Sequence, residues 1–154
     1  MEHSVEKTLE QILMEKGELL TAAAGVSMLP CIRAQKDVLH LAKVTEPLKV
    51  YDIILYRRKN KTLILHRILN ILDSGYVLCG DNQSALEYGI QESQILGVLR
   101  GFYRDGRYID CRTNRLYLAY VKVWCHSLRV RRRLLYTMNL GKRGWNKITC
   151  RKKN

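Results

Sequence analysis

The chain has 154 residues, 47% of them hydrophobic, which is typical of one globular domain around a single core, and it lacks the run of ~18 uncharged apolar residues of a membrane-spanning helix. Its net charge of +13 arises in the C-terminal part, because residues 1–111 hold 14 Lys and Arg against 14 Asp and Glu, whereas residues 112–154 hold 13 Lys and Arg and no acid. The N-terminal region carries Glu2, Glu6 and Glu10, whereas a secretory signal would be basic there. These features argue against an integral membrane protein and against a secreted one. They predict a cytoplasmic protein with a basic C-terminal segment.

The first predicted element is an amphipathic helix at residues 4–16, with Gly17 as its end. Residues 18–110 then have the pattern of short strands, in β-rich runs that begin at Lys36, Tyr51, Thr62, Gly75 and Gln94. Gly97 and Gly101 fall inside the last run and predict bends in it. Five or more strands at this spacing predict a mainly β fold, either a bent antiparallel sheet or a partly open barrel.

The basic segment 112–154 is predicted to form a C-terminal arm, with a helix from Arg115 to Tyr136. Aromatic residues interleave with its cations, which suits a peripheral helix on an anionic membrane surface. Capture of an acidic precursor peptide is a second interpretation, a solvated tail is a third, and nucleic acid is the least favoured partner.

Cysteine spacing gives no sign of a metal or redox site. The five cysteines, at positions 31, 79, 111, 125 and 150, are odd in number, widely separated and include no Cys-x-x-Cys pair. Cys125 and His126 are adjacent, and adjacent side chains rarely converge on one ion. We therefore predict reduced thiols, no bound metal and no cofactor.

One polar hydroxyl, that of Ser27, stands in the apolar stretch Gly25-Val-Ser-Met-Leu-Pro30. A turn would explain the glycine and the proline, whereas a nucleophilic serine would need a base within hydrogen-bond reach. His66 ends a strand pattern and is the best candidate base, although a polar residue on a solvent face is the alternative interpretation. Asp81 follows the next strand and could hold an imidazole in the required tautomer.

Several short motifs in fixed order resemble the boxes of the signal peptidase and LexA-like serine peptidase superfamily. They are Gly25-Val-Ser27-Met28-Leu-Pro30, Tyr51-Asp52-Ile-Ile-Leu-Tyr, Leu65-His66-Arg67-Ile, Gly80-Asp81-Asn82 and Ile95-Leu-Gly97-Val. The resemblance covers roughly residues 18–103 and excludes the basic arm. It divides the chain into a peptidase-like domain at 1–111 and the arm at 112–154.

The pair His66-Arg67 is similar to the histidine-base form of this superfamily, including its small members that lack a membrane anchor. The resemblance implies a bent, mostly antiparallel β structure and an endopeptidase that cleaves a leader or signal-like peptide. It assigns Ser27 as the nucleophile, His66 as the base and Asp81 as the acid that orients the base. It implies no cofactor.

Two positions depart from the family pattern. Tyr51 stands where relatives often have glycine, so the turn before the second β run must be built differently. Where histidine-type relatives carry a second acid, this chain has Glu87, with a longer side chain. Either Asp81 or Glu87 could orient His66, and we favour Asp81.

Residues beside the serine are expected to shape the substrate site. Gly25, Val26 and Met28 form the substrate and oxyanion neighbourhood, with Met28 packed in the core, and an extended peptide would pair near Ala22 to Gly25. One rival function is a catalytically silent peptide-binding module. A self-cleaving regulator is a weaker rival, because Ala24-Gly25 lies too close to Ser27 to fold back as substrate and no DNA-binding unit precedes the body.

Overall fold

A computed structural model describes residues 8–126 of the chain. Its elements, in chain order, are α1 (Leu9–Lys16), β1 (Glu18–Ala22), β2 (Val38–Ala42), β3 (Ile53–Arg57), β4 (Leu63–Leu72), β5 (Gly75–Cys79), β6 (Glu87–Ile90), a 3-10 turn (Glu92–Gln94), β7 (Ile95–Arg104), β8 (Arg107–Asp110) and α2 (Arg115–His126).

The strands form one antiparallel sheet that does not close on itself. Its order is β1-β2-β7-β3-β4-β5-β6, and β8 pairs with β7 beside that path. The predicted mainly β, antiparallel fold is therefore confirmed. Register shifts interrupt the pairing of β7 with β3 near Gly97 and with β2 near Gly101, which is where the sequence predicted bends.

Helix α1 begins later than predicted. Thr8 has an extended backbone, and it forms a capping box with Gln11, each side chain accepting the backbone N–H of the other residue. The helix therefore begins at Leu9 rather than at residue 4, and residues 1–7 lie outside the described part of the chain. It ends at Lys16 as expected, since Gly17 adopts the left-handed C-cap conformation at φ 79°.

The turn before β3 is built around a residue in a left-handed conformation. Tyr51 has φ 80°, a region in which glycine is the ordinary residue, and this accounts for the glycine expected there by resemblance. Its backbone N–H donates to Ile68 O at 2.8 Å, and the Asp52 carboxylate accepts the Lys49 N–H at 2.8 Å. The tyrosine thus keeps the turn that a glycine would make, at a cost in backbone strain.

Hydrophobic clusters cover both faces of the central strands. Ile53 and Leu55 of β3 point into one cluster, and Ile54 and Tyr56 point into the other, as the alternation of side chains along a strand requires. The first cluster also contains Met28 of the serine turn. Because both faces are covered, a polar side chain in the central part of β4 is buried on either face and needs polar partners there.

Helix α2 packs against the first cluster through its aromatic face. Tyr117 and Val121 are buried, and Tyr120 and Trp124 are partly buried against the same cluster. The basic segment 112–154 thus begins with residues that pack on the body. The predicted helix from Arg115 is described as far as His126, and its continuation to Tyr136 lies outside the described residues. Neither α1 nor α2 is long and apolar enough to cross a bilayer.

Candidate active site

Ser27 lies in a turn that the sheet anchors at both ends. The Ala23 N–H donates to Asp37 O at 3.0 Å, which joins the start of the segment to its end. The buried Asp37 carboxylate accepts hydrogen bonds from Arg33 Nε at 2.9 Å and from Arg104 Nη2 at 2.5 Å. Burial by itself would raise the pKa of Asp37, but the hydrogen bonds from Arg104 and Arg33 outweigh it and lower that pKa.

The neighbours of Ser27 occupy different environments. Met28 is buried in the core, whereas Val26 is exposed and Gly25 adopts φ 74°. Ser27 itself is half-buried. The buried methionine fixes the direction in which the turn presents the serine, while the residues before it face solvent.

Asn82 holds the serine turn from the opposite side. Its backbone N–H donates to Ser27 O at 2.7 Å, and its side-chain amide donates to Val26 O at 3.1 Å. The turn that follows β5 is therefore hydrogen-bonded directly to the serine segment, although the two are far apart in sequence.

Gly80 brings His66 close to this segment. A Cβ atom at position 80 would lie 2.6 Å from Ser27 O and 3.0 Å from His66 Nε2. The serine backbone and the imidazole nitrogen are thus separated by no more than the sum of these distances. Any side chain at position 80 would push the two apart.

Strand pairing places Glu87 on the same face of the sheet as His66. Residues directly opposite one another in an antiparallel pair point to the same face. Ile68 of β4 is opposite Leu78 of β5, and Leu78 is opposite Glu87 of β6. His66 is two residues from Ile68 and shares its face.

The Glu87 carboxylate contacts the imidazole at the nitrogen that faces away from Ser27. Glu87 Oε1 lies 3.1 Å from His66 Nδ1. When Nδ1 carries the hydrogen and donates it to the carboxylate, Nε2 is left unprotonated as an acceptor. This is the tautomer that a general base acting on Ser27 requires.

Two further side chains hold Glu87 in place. Arg58, just after β3, donates to both carboxylate oxygens, through Nε at 2.9 Å and through Nη2. The Tyr56 hydroxyl hydrogen-bonds Glu87 and lies 3.3 Å from His66 Nδ1. The bidentate arginine fixes the orientation of the carboxylate.

The protonation states of His66 and Glu87 are those that a general base and its orienting acid require. His66 is only 1% exposed; burial lowers its pKa below the ordinary value, against the opposing effect of the Glu87 charge. Burial would raise the pKa of Glu87, but hydrogen bonds from Arg58 and Tyr56 lower it. At neutral pH the pair is therefore a neutral imidazole beside an ionised carboxylate.

Asp81 lies on the other face of β4, with Arg67. His66 and Arg67 are consecutive, so their side chains point to opposite faces of the sheet. Arg67 Nε and Nη2 donate to the Asp81 carboxylate at 2.9 and 2.7 Å, and both side chains are fully buried. Of the two acids considered for orienting His66, the structure brings Glu87 to the imidazole and gives Asp81 to Arg67.

Helix α2 completes the surroundings of this buried ion pair. The Tyr120 hydroxyl donates to Asp81 Oδ2 at 3.1 Å, and Trp124 Nε1 donates to the Asp81 backbone carbonyl at 3.0 Å. Arg67 Nη1 also donates to the Tyr117 hydroxyl at 3.0 Å. These aromatic rings of the basic segment, which the sequence suggested for a membrane surface, thus contact the body.

The Ser27 atom that the structure places beside the base is its backbone carbonyl oxygen. In the part of the chain that the structure describes, no hydrogen bond joins Ser27 Oγ to His66 Nε2. Proton transfer between these two atoms requires the serine turn to bring them together, and catalytic hydrogen bonds often tighten only when substrate binds.

Tyr56, Arg58 and Asn82 were not assigned roles from the sequence. The sequence did indicate that Tyr56 lies near His66, since the short turn at residues 58–62 predicts a hairpin. This hairpin pairs Tyr56 with Ile64, which is two residues from His66. Arg58 was part of that polar turn. Asn82 stood in the Gly-Asp-Asn box, but its contact with Ser27 depends on the three-dimensional fold.

The edge of the sheet beside Ser27 is open in the described structure. β1 is the terminal strand and pairs only with β2, and it leads through Ala22 into the serine turn. Its outer backbone groups are available to an extended peptide.

The placement of the His, Cys, Asp and Glu side chains in residues 8–126 bears on metal and disulfide chemistry. These residues include no group of three or more His, Cys, Asp or Glu side chains placed to hold a metal ion. The four cysteines among them, at positions 31, 79, 111 and 125, form no disulfide. No protein-family model matches the sequence, and a search of curated proteins gives no match.

Proposed function

We propose that the chain is a serine endopeptidase of the histidine-base, signal peptidase-like type, and that its sheet has the fold of that superfamily. Ser27 is the nucleophile, His66 the general base and Glu87 the acid that orients the base. The observation that carries this proposal is the alignment of His66, whose Nδ1 meets Glu87 while its Nε2 faces the Ser27 turn beside Gly80.

The proposed reaction follows from these contacts. Ser27 Oγ attacks the scissile carbonyl carbon as its proton passes to His66 Nε2, and Glu87 stabilises the imidazolium that forms. The imidazolium then protonates the leaving amine, and an acyl-enzyme remains on Ser27. Water hydrolyses this ester with His66 again acting as the base.

The low pKa of His66 favours this role. A base must be unprotonated before it can accept the serine proton, and burial of the imidazole keeps it neutral at cellular pH. A lysine in the same role would have to be desolvated before it could act as a base. Asp81 does not contact the base in this scheme, and it acts on Ser27 through the next residue, Asn82, whose backbone N–H donates to Ser27 O.

The substrate proposed is an extended leader or signal-like peptide. The open edge of β1 offers backbone donors and acceptors to such a peptide, and the small residues Ala22 to Gly25 leave room for it next to Ser27. The substrate class itself derives from the family resemblance.

The test is labelling by a fluorophosphonate probe, which reacts covalently with an activated serine. We expect the wild-type protein to gain one probe mass at Ser27, and Ser27→Ala to gain none. Ser74→Ala, in the β4–β5 turn, is the matched control and should be labelled like the wild type. Cleavage of a precursor peptide should fall at least about 10⁴-fold in Ser27→Ala.

A catalytically silent peptide-binding module is the second candidate, favoured by the absence of a Ser27–His66 hydrogen bond within the described residues. The same experiment separates the two functions. A folded wild-type protein that takes up no more probe than Ser27→Ala would contradict the peptidase and leave the binding module.

A further inference from the structure

Helix α2 has two apolar faces, and the body covers one of them. Tyr117, Val121 and Trp124 point inward. Leu116 and Val123 point outward, with 83% and 79% of their surfaces exposed. Ala119 is also exposed and lies between them, since positions separated by three, four and seven residues share a helical face. We call Leu116, Ala119 and Val123 the outer stripe.

A stripe of this kind needs a partner more than single exposed apolar residues do. Isolated surface leucines are ordinary, but a helix that is apolar on both faces is typical of one that is covered on both. The exposed neighbours of the stripe include three cations, Arg112, Arg115 and Lys122, besides Thr113 and Leu118, and Arg112 is paired with Glu46 at 3.1 Å. No acid occurs anywhere in residues 112–154.

This charge pattern argues against two parts of the chain as the partner, α2 of a second copy and residues 127–154. A second copy of α2 would bring cations against cations, and residues 127–154 would do the same, because that segment contains Lys and Arg but no Asp or Glu. Nucleic acid fits poorly as well. Tyr120 and Trp124 stack on each other against the body at 5.8 Å, and the outer stripe has no ring on which a base could stack.

We infer that the outer stripe docks on an anionic lipid surface. An apolar row with the cations Arg115 and Lys122 along one side has the pattern of a helix lying in the plane of a membrane interface, with its apolar side chains at the acyl boundary and its cations at the lipid phosphates. The contact differs from the one predicted from the sequence, because aliphatic side chains make it and the aromatic ones hold the body. The inference goes beyond the peptidase activity and does not require it.

The test is co-sedimentation of the full chain with vesicles. One set is phosphatidylcholine alone, and the other is three parts phosphatidylcholine to one part phosphatidylglycerol. We expect binding to the anionic set only. The double variant Leu116→Ser/Val123→Ser should bind about tenfold more weakly, and Ala119→Asp should bind more weakly still, because it places an acid in the stripe.

The control is Leu72→Ser, which removes an exposed leucine at the far end of β4 and should bind like the wild type. Circular dichroism checks that each variant is folded. Running the assay also with Ser27→Ala keeps the result separate from catalysis, since lipid binding should persist without the nucleophile.

Several outcomes would overturn the inference. They are equal binding of the wild type to both vesicle sets, no binding to either set, binding of both stripe variants as strong as that of the wild type, and a loss of binding in Leu72→Ser as large as in the stripe variants. Self-association in solution that the stripe variants abolish would instead identify the stripe as a contact between copies of the chain.

Discussion

The Glu87 carboxylate supports His66 in two ways, by accepting the Nδ1 hydrogen and by stabilising the imidazolium formed during attack. Glu87→Gln removes the charge and can present an amide N–H to Nδ1, which favours the wrong tautomer. We predict that probe labelling of Ser27 at pH 7 slows on the order of 10³-fold. The acid limb of the labelling profile should also move to lower pH, because burial lowers the pKa of His66 and only the Glu87 charge opposes it strongly.

Asp81→Asn is the matched comparison, because it makes the same acid-to-amide change on the other face of β4. It leaves the fully buried Arg67 without its ionic partner, so the free energy of unfolding should fall by about 3 kcal/mol or more, as urea denaturation would measure. The pH profile of labelling of the folded fraction should move less than in Glu87→Gln, because the Asp81 charge raises the pKa of His66 less than the Glu87 charge does. If Asp81→Asn shifts that profile and Glu87→Gln does not, the roles assigned to the two acids are reversed.

The helix α2 connects the basic segment to the serine turn through a short series of hydrogen bonds. Tyr120 and Trp124 donate to Asp81, and the next residue, Asn82, donates to Ser27 O. Tyr120 is therefore a positioning residue, which acts on the serine through the Asp81–Asn82 turn.

We predict that Tyr120→Phe slows labelling of Ser27 about fivefold, because small displacements of a nucleophile lower reactivity steeply. Loss of the hydrogen bond to a carboxylate should cost about 2 kcal/mol of unfolding free energy. Tyr103→Phe, at a partly exposed tyrosine of β7, is the control. A purely structural role for Tyr120 would leave labelling of the folded fraction unchanged.

Local sequence pattern predicted most of the strands but not the partners of the site. The run Gly75–Cys79 coincides with β5, because alternating apolar residues between turns define such a strand. β6 and β8 were missed, since each has four residues and little apolar content. Without β6, the register that brings Glu87 to His66 could not be deduced, and Asp81 was favoured because it stands in the Gly80-Asp81-Asn82 box while Glu87 has a longer side chain.

The aromatic residues of α2 show a second limit of the sequence pattern. Tyr120 and Trp124 beside cations are typical of a membrane-surface helix. The Tyr120 hydroxyl instead donates to the buried Asp81 carboxylate, and a buried charge requires such partners. The Trp124 indole donates to the backbone carbonyl of Asp81. Local composition cannot reveal that the body contains an acceptor of this kind.

The stability of the whole protein should depend on pH in two separate steps. Burial lowers the pKa of His66 in the folded state below its ordinary value of 6.5, so between these two values the unfolded chain binds more protons than the folded one. Stability therefore decreases as pH falls below about 6.5 and levels off once the folded imidazole is also protonated. Asp37 and Glu87 also have lowered pKa values in the folded state. Their contributions are present above their ordinary values of 3.8 and 4.5 and are lost as pH falls further.

Urea midpoints measured from pH 8 to pH 3 test this dependence. The wild-type midpoint should decline first as pH falls below about 6.5 and again below about pH 4.5. His66→Gln should lack the first decline and keep the second, because the substitution removes the imidazole whose pKa burial lowers and leaves the carboxylates of Asp37 and Glu87 paired with arginine. A first decline of the same size in His66→Gln would mean that another group causes it, and the neutral, buried imidazole that the proposed mechanism needs would lose its support.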